Sequence, residues 1–232
     1  MKIKKLSFKF DKNAQYFFND LSIDFAAGKI NFIQGKNGVG KSTLFNILQG
    51  NIPASSLISG EFELGKQIVS AQQNAIDSNM SYQVKMVQQQ FDKMLALNFT
   101  FDQNLQIAQL NQYPGLGQLP KVHSVPHIIN NFSINRNIPI QLLSGGQRQI
   151  LSILMVLQKP TKLLLLDEPT AALDEKNADM VMQFLQELIK ETDITILVIS
   201  HDTELVKKYA QGNYYQIVET NNGMRTIEKL II

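Results

Sequence analysis

Cysteine and tryptophan are absent from this 232-residue chain, and histidine occurs three times. Without thiols there is no disulfide framework and no thiolate metal site, which is compatible with the cytosol. Neither sign of charge dominates, with 22 Lys and Arg against 20 Asp and Glu. No global positive field exists to recruit nucleic acid, and no nucleic-acid partner is expected. Long apolar runs are missing too: stretches such as Ile150 to Leu157 fall far short of the ~20 residues that span a bilayer, so any membrane association must run through a partner. The basic N-terminus MKIKKLSFKFDK is interrupted by Lys5 and Lys9. It lacks the apolar core of a secretory leader and reads as an alternating strand with Leu6, Phe8 and Phe10 on one face. Internal repeats and a coiled-coil insertion are absent as well.

The chain does contain a phosphate cradle. GKNGVGKS, residues 35 to 42, satisfies GxxxxGK[ST] with Gly35, Gly40, Lys41 and Ser42 at the fixed positions. It follows the apolar stretch Ile30 to Ile33 and precedes Thr43-Leu-Phe-Asn-Ile-Leu, which predicts a helix stopped at Gly50. Glycines let backbone N–H groups converge on phosphate oxygens, and the helix N-terminus adds partial positive charge. Lys41 reaches the outer phosphates and Ser42 can hold Mg²⁺. Asn37, Gly38 and Thr43 complete the nucleotide-binding set.

A second string, LLLLDEPT (163 to 170), supplies acids. Four leucines without alternation suit a strand buried on both faces of a parallel sheet. Asp167 and Glu168 then fall at its C-terminal end, where open α/β sheets bind ligands. Neighbours on a strand point to opposite sides, so the two carboxylates are expected to do different work: Asp167 in the Mg²⁺ shell, Glu168 polarising an attacking water.

Between these strings lies LSGGQRQ, residues 143 to 149. With it in place the chain resembles, nearly end to end, the nucleotide-binding subunit of ATP-binding cassette (ABC) systems, whose signature LSGGQ matches without a mismatch. The resemblance implies further roles. Phe10 falls where an aromatic, more often Tyr, stacks on adenine. Gln89, flanked by Gln88 and Gln90, falls on the glutamine that senses the γ-phosphate, contacts the metal and meets the transport partner. Ala172-Leu173-Asp174 matches the loop that crosses between subunits, and His201 the switch histidine that assists catalysis. Ser144, Gly145, Gly146 and Gln147 would begin a helix facing the nucleotide of an opposing chain, so the family's two ATP molecules are closed between two chains. A homodimer, or a heterodimer with another ABC ATPase subunit, is implied. A guanine-nucleotide enzyme lacks support, because no NKxD string is present.

The expected fold is α/β: a P-loop NTPase fold with a mixed sheet core, an N-terminal antiparallel β part and an inserted α-helical subdomain. One ABC ATPase domain covers 1–232, with 1–87 and 159–232 forming the core and 88–158 the helical insertion. A helix near 176 to 190, a strand at Ile194 to Ser200 and a hairpin around Asn222-Gly223 complete the expected core. Residues 53 to 82 read as one strand followed by a polar loop. Residues 111 to 140 hold four prolines with His123 and His127, which read as solvated loop histidines rather than a metal pair, since Pro126 separates them and no third ligand is evident.

The helix RQILSILMVLQKP is similar to that of a bacterial group of putative tryptophan- or tyrosine-type importers. Together these features imply an ATP-hydrolysing motor of an importer of small molecules such as amino acids, with a soluble, uncoupled ABC ATPase as the alternative. ATP and Mg²⁺ are the implied ligands. The implied partners are transmembrane permease subunits docking near Gln89 to Leu105, where Phe91, Met94, Leu95, Leu97, Phe99 and Phe101 cluster, either inside the insertion's own core or in a groove for a partner helix. The protein is then expected in the cytoplasm, peripheral to the inner face of the cell membrane.

Overall fold

The computed structural model describes residues 1–72, 82–110, 125–210 and 213–230. Its described strands are β1 (Lys2–Lys9), β2 (Phe18–Asp24), β3 (Ile30–Gln34), β4 (Leu57–Leu64), β5 (Gln67–Gln72), β6 (Val84–Val87), β7 (Leu163–Asp167), β8 (Thr195–Ile199), β9 (Tyr214–Glu219) and β10 (Arg225–Leu230). They form one sheet in the order β5-β4-β1-β2-β10-β9-β3-β8-β7-β6. Pairing is antiparallel through β5-β4-β1-β2 and within the β9-β10 hairpin, and parallel where β3, β6, β7, β8 and β9 meet. The described helices are α1 (Lys41–Gln49), α2 (Phe101–Gln109), α3 (Gly145–Val156), α4 (Glu175–Glu191) and α5 (Thr203–Tyr209). The sheet is thus mixed, α/β in class, with an antiparallel N-terminal part.

The leucine run shows why the centre is parallel. Leu164 and Leu166 join Phe32, Ile196 and Val198 in a core capped by α3 and α4. Leu163 and Leu165 face the other way, with Ile33, Leu197 and Ile199, onto α1 and the N-terminal strands. All four leucines are fully buried. Period-two geometry has sent alternate leucines into two separate cores, which only a strand covered on both sides can do.

Helix ends follow their chemistry. Gly50 closes α1 in the left-handed region, φ 72°, and donates to the carbonyls of Asn46 and Ile47. Ser144 caps α3 in a reciprocal capping box with Gln147, and Asp174 caps α4 by accepting from the Asn177 N–H. The β9-β10 hairpin turns where expected, with Gly223 at φ 73°.

Two expectations are corrected. Residues 53 to 82 do not hold a single strand: β4 turns at Gly65 (φ 63°) and pairs with β5. β5 was hidden because it is an edge strand whose Ile68 lies in solvent, 62% exposed, among polar neighbours. The N-terminal alternation also breaks. A register shift around Lys5, φ 51°, makes Ile3, Leu6 and Phe8 the buried face. The strand ends at Lys9, and Phe10 lies beyond it, 41% exposed, edge-on to Phe8 with 5.0 Å between centroids.

His127 is exposed in a short 3₁₀ turn whose Ile128 and Ile129 are buried. His123 lies outside the described residues. Among the described residues no group of three or more metal-ligating His, Cys, Asp or Glu side chains occurs, and no helix is long and apolar enough to cross a membrane.

Candidate nucleotide site and signature face

The C-terminal ends of β3, β7 and β8 open into a cleft of about 810 Å³. From the β3–α1 loop and the start of α1 come Asn37, Gly38, Gly40, Lys41, Ser42 and Thr43; from the end of β7, Asp167 and Glu168; from beyond β6, Gln89; from beyond β8, His201; from beyond β1, Phe10. Of the Gln88–Gln90 triplet, Gln89 is the member that lines the cleft. Gly35 supports the loop from behind: at φ 154°, a Cβ there would come 2.7 Å from the Ile217 carbonyl oxygen. Gly40 has φ 114°, and a Cβ would meet the Phe17 ring at 2.6 Å. Sequence reasoning missed Phe17. It lines the cleft, packs edge-on against Phe10 at 5.2 Å, and carries the Arg225 guanidinium 4.5 Å from its centroid. An aromatic at the foot of a strand gave no signal that it would touch the phosphate loop.

The two acids require a correction. They were expected to point to opposite sides of a strand, yet both line this cleft. The strand ends at Asp167, and Glu168 adopts the left-handed φ of 52°, an uncommon conformation for a non-glycine residue. That turn brings the second carboxylate to the same side as the first. Glu168 is held by its N–H to Ile199 O at 3.0 Å and by the His201 N–H to its Oε2 at 3.4 Å. His201 Nε2 stands 3.3 Å from Glu168 Oε1, which is buried and receives no well-directed hydrogen bond.

The electrostatics are those of a partly dehydrated site. Burial raises the pKa of Glu168, opposed mainly by the His201 charge. Burial likewise raises Asp167, opposed by Lys41 and His201. Burial lowers Lys41, against the pull of Glu168 and Asp167. Each charge is costly alone and is moderated by the others, which marks the site as one for ionic ligands. Lys41 Nζ donates to Gly35 O at 2.8 Å and Lys36 O at 3.1 Å, folded onto its own loop. A triphosphate would draw that ammonium outward. Lys41→Ala is expected to weaken ATP binding about 10- to 100-fold, the value of a charge-assisted contact, read by calorimetric titration; unchanged affinity would remove Lys41 from phosphate recognition.

Hard oxygen donors meet in this cleft: the Ser42 hydroxyl, the Gln89 amide and the Asp167 carboxylate. They are the donor types Mg²⁺ takes alongside phosphate oxygens. The donor set therefore fits the metal.

The signature residues stand elsewhere. Ser144, Gly145, Gly146, Gln147 and Asp174 are not among the residues lining the cleft. Ser144 Oγ donates to Asn177 Oδ1 at 2.8 Å, and Asp174 Oδ2 accepts from Asn177 Nδ2 at 2.7 Å. Asn177 was also missed, although an Asx side chain three residues past a capping Asp is a legible helix-start feature.

With this geometry in view, comparison with known proteins places the chain. The family model described as ABC transporter matches residues 18–171. A tyrosine transport ATP-binding protein of Clostridioides difficile is 33% identical, covering 90% of this chain and 85% of that protein. A methionine import ATP-binding protein of Streptococcus pyogenes is 31% identical over 87% of this chain, which spans 57% of it. The chain spans only about a third, 35%, of a putative ABC transporter ATP-binding protein of Enterococcus faecalis. In fold it matches a dimeric ATP-binding cassette solved in a post-hydrolysis state with ADP and Pi, at 23% identity, TM-score 0.63, over 99% of this chain and 98% of that one. The chain belongs to the ABC transporter family, as an ATP-binding domain.

Proposed function

We propose that two copies of this chain form the motor of an importer of amino-acid-like molecules, seated on the cytoplasmic face of the membrane through permease subunits. Residues 1–87 and 159–232 act in it as the nucleotide-binding core, and 88–158 as the helical insertion that meets the permease. In each site ATP lies in the cleft of one chain, its base against Phe10, its phosphates in the 35–42 loop with Lys41. Mg²⁺ would be held by Ser42, Gln89 and Asp167 and would neutralise phosphate charge. Glu168, its basicity raised by burial and its carboxylate set beside His201, takes a proton from a water as that oxygen attacks the γ-phosphorus. The bond between the γ-phosphorus and the bridging oxygen breaks, leaving ADP and phosphate. Ser144 to Gln147 and Asp174 face the nucleotide held by the other chain. Import, and the amino-acid class of cargo, are supported by the names of the tyrosine transport and methionine import relatives.

The observation that carries the permease contact is how the apolar run after Gln89 divides. Phe91, Leu95 and Phe101 are buried and Met94 packs partly against them. Leu97 and Phe99 are 42% and 46% exposed. Their carbonyls accept from Gln141 N and Ile140 N, which brings the 68% exposed Leu142 alongside. Asp92 and Asp102 near this patch are engaged by Arg148 and Arg136. An apolar patch with a polar rim suits an amphipathic helix of a partner. Leu97→Glu with Phe99→Glu is expected to abolish co-purification with membrane proteins while leaving ATP affinity within about twofold, because exposed side chains remote from the phosphate loop add little to it. Retained co-purification would move the dock elsewhere. Failure to recover any membrane protein with the wild-type chain would favour an uncoupled ATPase.

A further inference from the structure

Two helix starts that the proposed assembly presents to another chain's nucleotide are joined by one side chain. Asn177 Oδ1 accepts from Ser144 Oγ at 2.8 Å and from Gly146 N at 3.3 Å. Its Nδ2 donates to Asp174 Oδ2 at 2.7 Å, and its backbone N to Asp174 Oδ1 at 2.9 Å. The junction has no slack. A Cβ on Gly146 would fall 2.8 Å from Asn177 Oδ1 and 3.0 Å from Asn177 O, and one on Gly145 would fall 2.8 Å from Leu173 Cδ2.

A neutral amide meets these demands because it accepts toward one cap and donates toward the other. Aspartate would keep the acceptor and lose the donor, and would set a second carboxylate against Asp174 and near any incoming phosphate. Leucine keeps the volume and removes both functions.

We propose that Asn177 is a positioning residue for ATP hydrolysis: by accepting from the Ser144 hydroxyl and the Gly146 N–H and donating to Asp174, it locks the start of α3 to the start of α4, so that the signature and the crossing loop approach a second chain's nucleotide as one rigid face. This rests on the two-chain reading above. Asn177 touches no residue lining the nucleotide cleft of its own chain through these bonds, so its influence is on closure and not on first binding of ATP.

The test uses the Glu168→Gln chain with ATP and Mg²⁺, reading by light scattering the protein concentration at which half is dimeric. Asn177→Leu is expected to raise that concentration about tenfold, and Asn177→Asp further, with ATP affinity of the single chain held within about twofold. Combining Asn177→Leu with Ser144→Ala should cost less than the product of the two separate losses, because one acts partly through the other. Multiplying losses, or a lowered melting temperature with no change in the dimerisation midpoint, would reduce Asn177 to packing and overturn the proposal. If the parent Glu168→Gln chain itself fails to dimerise with ATP, the two-chain reading falls and the proposal with it, an outcome told apart by its appearance in the parent.

Discussion

Glu168→Gln should leave ATP binding at its wild-type level and lower turnover by about 10²- to 10⁴-fold, the range for loss of a positioned general base. The amide keeps the shape of the carboxylate, so the contacts at Ile199 O and at the His201 N–H survive. What is lost is a basic oxygen, Oε1, buried and 3.3 Å from His201 Nε2. Burial raises the Glu168 pKa, so the carboxylate is a stronger base than one in water. Single-turnover hydrolysis beside equilibrium nucleotide binding separates the two effects. Turnover near wild type would remove Glu168 from its role.

The second large effect concerns Ser144. Placing Ser144→Arg in the Glu168→Gln chain is expected to turn an ATP-dependent dimer into a monomer by light scattering. Ser144 Oγ accepts from Gln147 N at 3.3 Å and donates to Asn177, so arginine loses a cap worth about 0.5–2 kcal/mol and puts a long side chain where the other chain's phosphate must land. Binding of ATP by the single chain should persist, because the lining of the cleft does not include Ser144. A dimer that survives the substitution would place the interface elsewhere.

What the sequence made legible was whatever chemistry fixes by spacing. GKNGVGKS announced its loop because glycines at 35, 38 and 40 with a lysine at 41 have few other uses, and Leu163–Leu166 announced a doubly covered strand because nothing polar interrupts it. Gly50 and Gly223 gave their turns because left-handed backbone favours glycine.

What escaped depends on tertiary context. β5 looks like loop because an edge strand needs no second apolar face. The left-handed turn at Glu168 cannot be read from a Glu, and it reverses the argument that Asp167 and Glu168 must part company. Phe17 and Phe10 are similar aromatics in sequence, but only packing sets one against Gly40. The apolar run from Phe91 to Phe101 could not declare which side chains it buries, since helical turns and an extended stretch alternate within it. Asn177 was overlooked because its neighbours Ser144 and Gly146 lie 33 and 31 residues away.

The central claim, that each site is built from two copies of this chain, is tested most directly by mixing two inactive variants. Lys41→Ala cripples the phosphate loop, and Ser144→Arg cripples the face offered to the partner. A dimer of Ser144→Arg chains carries the arginine at both sites, whereas in a mixed dimer one site inherits both defects and the other pairs an intact loop with an intact signature, whose ATP alone holds the two chains together. ATPase activity absent from either variant alone should therefore appear on mixing, up to about a quarter of the wild-type rate if half the dimers are mixed and each holds one sound site. A mixture as inactive as its components would contradict the account.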